Sequence, residues 1–313
     1  MTIAPVEITQ DLTAIHRSID QRRLQEKIFI LLGLLSILFA LLALTALVLD
    51  LFFRGLPILN WRFITSPPSS TPEEAGVLIA WVGTLLVMVV TALFAIPMGV
   101  AAGIYLEEYA PKNWFSNFIE INISNLAGVP SIIYGLLALG FFVYTLNLGQ
   151  SVATAGLTLG LLILPIVIVT TRESLRAISS TIREAAYAVG ASKWQMIADH
   201  VLPYSMGGIL TGIIVGISRA IGETAPLITI GALTFITFLP DSPLKPEFPF
   251  ISFAWLQSPF TVLPIQMFNW VSRPQEAFQV NAAAAGIILL VLTLGVNGLA
   301  IYLRYRFRKG IKW

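Results

Sequence analysis

Arg219 and Glu223 stand four residues apart and are the only charged residues between Tyr204 and Pro240. In a helix that spacing puts both on one face, one turn apart. An ionised residue at the centre of a membrane helix costs about 2.5–3.5 kcal/mol on insertion scales, so it faces a cavity or a partner rather than lipid. Two readings fit. In one, the charges form a private ion pair that lets the helix insert. In the other, Arg219 lines the route of an anion and Glu223 holds it in place. A guanidinium suits an oxyanion because it stays charged and offers a planar fork of donors. A single Arg tempered by a carboxylate also suits a transient contact, since a permeating ion must leave as well as enter. Gly222 and Pro226 flank Glu223, and a proline leaves a carbonyl one turn earlier without its helical partner. They read as a hinge or as a static kink. Gly128-Val129-Pro130-Ser131 is a second break, exposing backbone to a pathway or only kinking a helix.

A different pattern fills residues 172–203. Leu175, Ile178, Ile182, Ala185 or Ala186, and Val189 recur at helical spacing, with Arg172, Glu173, Arg176, Arg183 and Glu184 on other faces. Gly190 interrupts, and a second short segment starts at Ser192-Lys193-Trp194 and ends at Leu202-Pro203. Two short helices at an angle would form a compact knob; a plain amphipathic connector is the alternative. Enzyme chemistry finds little footing. Cysteine is absent, which excludes disulfides, Cys metal sites and Cys nucleophiles. The two histidines, His16 and His200, cannot build a multi-His centre, so no catalytic or metal-ligating residue is assigned. His200 beside Asp199 is the sole footing for an intramembrane enzyme such as a lipid-modifying transferase. No Gly-x-x-x-x-Gly-Lys-[Ser/Thr] loop occurs, so the chain cannot cradle ATP phosphates in the usual way.

The elements that must position these residues are membrane helices. The 313 residues are 56% hydrophobic and 12% charged, with a net charge of +2, and the mean hydropathy is +0.82. Soluble domains carry about 25% charged residues, so the composition excludes a disordered chain and a nucleic-acid binder and points to a polytopic, all-α membrane protein. A crossing helix needs about 20 apolar residues. Ile28–Leu49 supplies one span, and Ala75–Leu106 supplies a second, bent near Pro97 and packed closely at Gly99 and Gly103. Residues 121–171 suit two spans, with Asn147-Leu148-Gly149-Gln150-Ser151 as the turn between them. Ala277–Leu303 is the last, with small residues at Gly286, Gly295 and Gly298. One span in Tyr204–Pro240 makes six. Arg17, Arg22, Arg23, Lys27, Lys112, Arg172, Arg176, Arg183, Lys193, Arg304, Arg306, Arg308, Lys309 and Lys312 then share one side, and Arg54, Arg62, Lys245 and Arg273 the other. That division puts both termini in the cytosol; a seventh span would leave the basic tail outside.

The expected organisation is therefore a cytosolic segment over 1–27, a first transmembrane helix over 28–50, and an external loop over 51–74. The main transmembrane domain follows over 75–305, with the cytosolic loop 172–203 and the external loop 241–280 inside it, and a basic cytosolic tail over 306–313. Ile8, Leu12, Ile15 and Ile19 give the first segment an apolar stripe, suited to an amphipathic helix on the cytosolic leaflet, an ordinary solvated leader being the alternative. The external loop holds prolines at 243, 246, 249, 259, 264 and 274, which preclude one continuous helix. Its Phe248, Phe250, Phe253, Trp255, Phe260, Phe268 and Trp270 suit a membrane interface or a protein contact.

Glu184-Ala185-Ala186, three residues, Gly190, and then Leu202-Pro203 resemble the EAA loop of ABC-transporter permeases. His200 stands where that pattern has an aliphatic residue. The resemblance implies a type I ABC importer permease fold with six transmembrane helices. It also implies that this loop is the coupling helix, docking on an ATP-hydrolysing subunit through Glu184, Ala185, Ala186, Gly190, Leu202 and Pro203. Ile217-Ser218-Arg219-Ala220-Ile221-Gly222-Glu223-Thr224-Ala225-Pro226-Leu227 is similar to a signature of phosphate-importer permeases. Ala127-Gly128-Val129-Pro130-Ser131-Ile132-Ile133-Tyr134-Gly135-Leu136 is similar to a second. Pro264-Ile265-Gln266-Met267-Phe268-Asn269-Trp270 with Arg273-Pro274-Gln275-Glu276 resembles the external loop of the PstA branch. The likeness covers about residues 75 to 305. It implies a permease of the bacterial plasma (inner) membrane, working with a second, PstC-like permease, two copies of a PstB-like ATPase and a PstS-like phosphate-binding protein. ATP and Mg would sit on the ATPase, with no cofactor on this chain. A permease for sulfate, molybdate or phosphonate is the alternative within the class.

Overall fold

A computed structural model describes residues 5–232, 235–243 and 252–309, with side chains described from Arg22 to Arg306 within those ranges, Leu24 excepted. The chain divides into two compact units, Met1–Phe53 and Arg54–Trp313.

Most of the first unit is one helix. α1 (Pro5–Gly55) runs for 51 residues without a break, so the expected leader and first span are continuous. The expected stripe Ile8, Leu12, Ile15 and Ile19 lies outside the described side chains. Most apolar side chains from Ile28 to Phe53 are exposed, a surface that belongs in lipid or against another chain. Within its apolar stretch, Ser36 Oγ donates to Leu32 O and Thr45 Oγ1 to Leu41 O, as hydrocarbon surroundings require.

The second unit begins with α2 (Trp61–Thr65), capped by the Asn60 side chain. α3 (Leu78–Ile104) contains Pro97 and ends in a π-helical turn, Tyr105–Tyr109. α4 (Trp114–Leu126) and α5 (Ser131–Ala138) follow, α5 widening into a π-helical stretch to Thr145. Next come α6 (Val152–Arg176), α7 (Ser180–Ala188), α8 (Lys193–Gln195) and α9 (Leu202–Gly222). The unit closes with α10 (Ala225–Thr229), α11 (Leu263–Val271) and α12 (Glu276–Lys309).

Among the described residues, five helices are long and apolar enough to cross a membrane; α4 with α5, bent by 106° between them, makes a sixth if counted as one span. The region expected to hold two plain spans thus holds one broken and one straight. The break follows from Pro130, which has no N–H to donate and disfavours helical backbone just before it. The α4 end closes instead through Gly128 N–H to Asn125 O at 3.0 Å and Val129 N–H to Leu126 O at 3.1 Å. The turn at residues 147–151 stands where its residue types place it. Asn147 and Gly149 take positive φ of 52° and 66°, and Ser151 caps α6.

Small residues set the packing, as lipid provides no hydrophobic drive between helices. A Cβ on Gly99 would come within 2.7 Å of Val167, and one on Gly103 within 2.6 Å of Thr171, so α3 and α6 touch nearly backbone to backbone. α9 meets the other side of α6 at Gly208, Gly212 and Gly216. The external aromatics serve neither expected use alone. Trp255, Phe260 and Trp270 are buried in the chain's own core, and Leu263 N–H donates to Thr84 Oγ1 on α3 at 2.9 Å. Phe253 and Phe268 remain exposed, while Phe248 and Phe250 lie outside the described residues.

Candidate functional site

α9 stops at Gly222 rather than bending. Glu223 is already extended, with φ −77° and ψ 129°, and Pro226 opens α10 within its first two positions. Proline suits a first helical turn and disrupts an interior one, so the expected kink is a complete break. Arg219 and Glu223 therefore do not share one helix, yet they still meet: Arg219 Nε lies 3.4 Å from Glu223 Oε1, with side chains 38% and 19% exposed. Gly216 sits against Ile163 of the antiparallel α6. With Gly208 against Ser174 and Gly212 against Thr170, continuing that register puts Arg219 level with Ile163, about 14 Å from Arg172 at 1.5 Å per residue. That depth lies well inside the helical layer.

The two helix breaks come together here. α10 packs on α5, where a Cβ on Gly135 would come within 2.7 Å of the Pro226 backbone. Tyr134 Oη donates to Leu126 O at 2.8 Å, reaching back across the α4–α5 break, and lies within electrostatic reach of Arg219. The segments 127–136 and 217–227, far apart in sequence, thus form one place. Gly222 has nothing within 4 Å of a built Cβ, and Gly128 only Asn125 O at 3.5 Å. Neither glycine has a positive φ, so neither is required by packing inside this chain.

The loop 172–203 differs from a simple amphipathic connector. α6 ends at Arg176, Ser179 caps α7, and Gly190 takes φ +84°. Ala186 is buried with Leu175, Met196, Ile197 and Val201, whereas Glu184 and Ala185 are exposed and Val189 is 82% exposed, so Val189 does not share the buried face expected for it. The second segment does not end at Leu202-Pro203. It passes through a π-helical turn, Met196–Val201, straight into α9. A wider turn accommodates a proline that lacks its N–H. His200, at the aliphatic position of the pattern, is exposed, so its polarity disturbs no core.

Several residues escaped the sequence reading. Asn297 of α12 meets Ser218 Oγ at 2.6 Å, beside Arg219; its signal was a lone amide between Gly295 and Gly298. Arg172, placed off the apolar face of the cytosolic loop, is 8% exposed. It reaches Glu120 at 2.8 Å and Glu107 at 3.4 Å, and Arg176 reaches Glu107 at 2.9 Å. A cavity of about 340 Å³ lies beside this cluster, lined in part by Lys112, Glu120 and Arg172. The signal was complementary charge: Glu107 and Glu108 end one apolar run where Arg172 and Arg176 end another.

A family model described as "Binding-protein-dependent transport system inner membrane component" matches residues 95–309. The chain belongs to this family. Among its relatives is the "Phosphate transport system permease protein PstA" of Yersinia pestis, 33% identical over 87% of this chain and 86% of that one. The PstA protein of Haemophilus influenzae is 32% identical over 88% and 93%. A "Probable phosphate transport system permease protein PstA" of Methanocaldococcus jannaschii is 28% identical over 95% and 98%. The permease fold recurs in a structure of the MetNI methionine ABC transporter, with TM-score 0.51, 14% identity, and 74% and 94% of the two chains covered. The family and this fold make the chain a type I importer permease, a transport component rather than an enzyme.

Proposed function

We propose that the chain is the membrane-spanning permease subunit of an ATP-driven inorganic phosphate importer, and that the junction of α5, α9 and α10 touches the passing anion. The observation that carries the site is Arg219 at the broken end of α9, at depth and paired with one carboxylate at 3.4 Å. The PstA relatives support phosphate as the substrate. Both signatures that resemble phosphate-importer permeases meet at this junction.

The chemistry follows from the helix ends. The C-terminus of α9 carries the negative end of the helix dipole, which repels an anion and favours a cation. Arg219 reverses the local sign. The start of α5 turns N–H groups and a partial positive charge towards the same region, as half-helices do at anion sites in transporters. Glu223 keeps Arg219 aimed and competes with phosphate for it, so that the anion is held briefly. Irregular backbone at this depth is tolerated where it is buried in protein or lines a watery cavity.

A second permease subunit would complete the path, and a substrate-binding protein would deliver phosphate. ATP and Mg would bind an ATPase dimer docked on α7, and both termini would lie in the cytosol of a bacterial plasma membrane. The basic edge carrying Arg172, Arg176 and Arg183 supports that orientation. The test is phosphate uptake by the reconstituted complex. Arg219→Gln should abolish uptake while the complex assembles normally. Wild-type uptake by that variant would overturn the site; uptake of sulfate in preference to phosphate by the unaltered complex would overturn the substrate.

A further inference from the structure

We propose that Arg183 is the positioning residue that joins the ATPase-docking loop to the transmembrane helices, so that a shift of α7 becomes a shift of α3 and α6. The inference rests on the coupling role given to α7 above and deepens it.

The Arg183 guanidinium is engaged on every side. Nε and Nη2 donate to Glu108 Oε1 at 3.2 and 2.7 Å. Nη1 donates to Ile178 O at 2.7 Å, and Nη2 also donates to Leu175 O at 2.9 Å. Leu175 lies in the last turn of α6, where its carbonyl also accepts Ile178 N–H at 3.1 Å, and Ile178 lies just beyond that turn. Glu108 belongs to the π-helical turn that ends α3, and its side chain is only 7% exposed. One side chain on α7 therefore clasps the ends of two transmembrane helices. The loop also has an apolar tie, in which Ala186, Met196, Ile197 and Val201 are buried with Leu175 and packed by Ile104 of α3, but α7 itself contributes only Ala186 to its buried residues.

Neighbours in sequence divide the work. Glu184 and Ala185 are exposed, as are Tyr187 and Trp194, leaving one face for a docking chain. Arg183 points the other way. From α6 the path to Arg219 is short, because Gly208, Gly212 and Gly216 hold α9 against α6, and close packing passes displacement on rather than absorbing it. A Lys at 183 would keep the charge but, as a point donor, would not hold Glu108 and both carbonyls together in the fixed geometry of the fork.

The test uses the full complex with its ATPase. Arg183→Lys and, separately, Glu108→Gln should assemble and keep basal ATPase activity. Phosphate moved per ATP hydrolysed should fall about fivefold or more, the low end of typical site-to-site coupling. Because the chain has no cysteine, Glu108→Cys with Arg183→Cys can be bridged by a short thiol cross-linker, and bridging should restore the ratio. An unchanged ratio in both single variants would overturn the joint while leaving the importer reading intact. Failure of both variants to assemble with the ATPase would assign Arg183 to assembly and equally overturn it. Failure of the unaltered complex to move phosphate would instead sink the importer reading itself.

Discussion

The last turns of α6 and α9 end in opposite ways. At the end of α6, Arg183 covers the Leu175 and Ile178 carbonyls, and Arg172 and Arg176 mesh with Glu107 and Glu120. At the end of α9, among the described residues, one Arg meets one Glu at 3.4 Å, beyond the usual length of a charged hydrogen bond. A mesh of shared contacts holds one geometry, because moving any member disturbs the others. A single long pair can exchange partners at little cost. One set of residue types thus serves to fix a helix end in one place and to leave it available in the other.

The contrast predicts a dissociation between transport and stability. Arg219→Gln should remove phosphate uptake and leave the melting temperature in detergent nearly unchanged, since its pair is loose and part-exposed. Arg172→Met should do the reverse in kind. It leaves Glu120 only the longer contact to Arg176 at 3.8 Å and loosens α4 from α6, costing at most about 3 kcal/mol, the low end for a broken buried pair, because Arg176 still reaches Glu107. Thermal unfolding of the purified complex measures this. Equal melting-temperature losses in both variants would erase the distinction between the two helix ends.

That distinction was only half legible in the sequence. Apolar length showed the crossing helices, and the turn at Asn147 and Gly149 was visible because both residue types tolerate positive φ. Pro226 and Pro130 advertised disturbances but not their size. Whether a proline kinks a helix or ends it depends on what receives the freed chain, and here α10 packs on α5, a contact of long sequence range. The burial of Arg172 was hidden for the same reason: its partners Glu107 and Glu120 lie more than fifty residues away. Charges at the ends of separate apolar runs reveal a side of the membrane, not a partner.

A smaller effect belongs to the docking loop. Gly190 holds φ +84° and nothing lies within 4 Å of a built Cβ, so substitution there meets backbone strain and no clash. Gly190→Val should cost about 1–3 kcal/mol locally and reduce stimulation of the ATPase by substrate. Gly190→Asn should cost less, since Asn tolerates the left-handed region. Equal ATPase stimulation in Gly190→Val and the unaltered complex would show that the turn is not what positions α7.

The smallest effect on folding should come from Gly222→Ala. Its φ is ordinary and a built Cβ meets nothing within 4 Å, so stability should stay within about 0.5 kcal/mol, the usual range for a surface change. Transport is a separate matter, because the open space beside Gly222 borders the Arg219–Glu223 pair. An added methyl group there narrows a route without loosening the chain. A fall in uptake at unchanged melting temperature would mark Gly222 as a lining position, kept small for what passes rather than for what packs. Unchanged uptake would return the glycine to backbone duty at the end of α9 and leave the route to Arg219 alone.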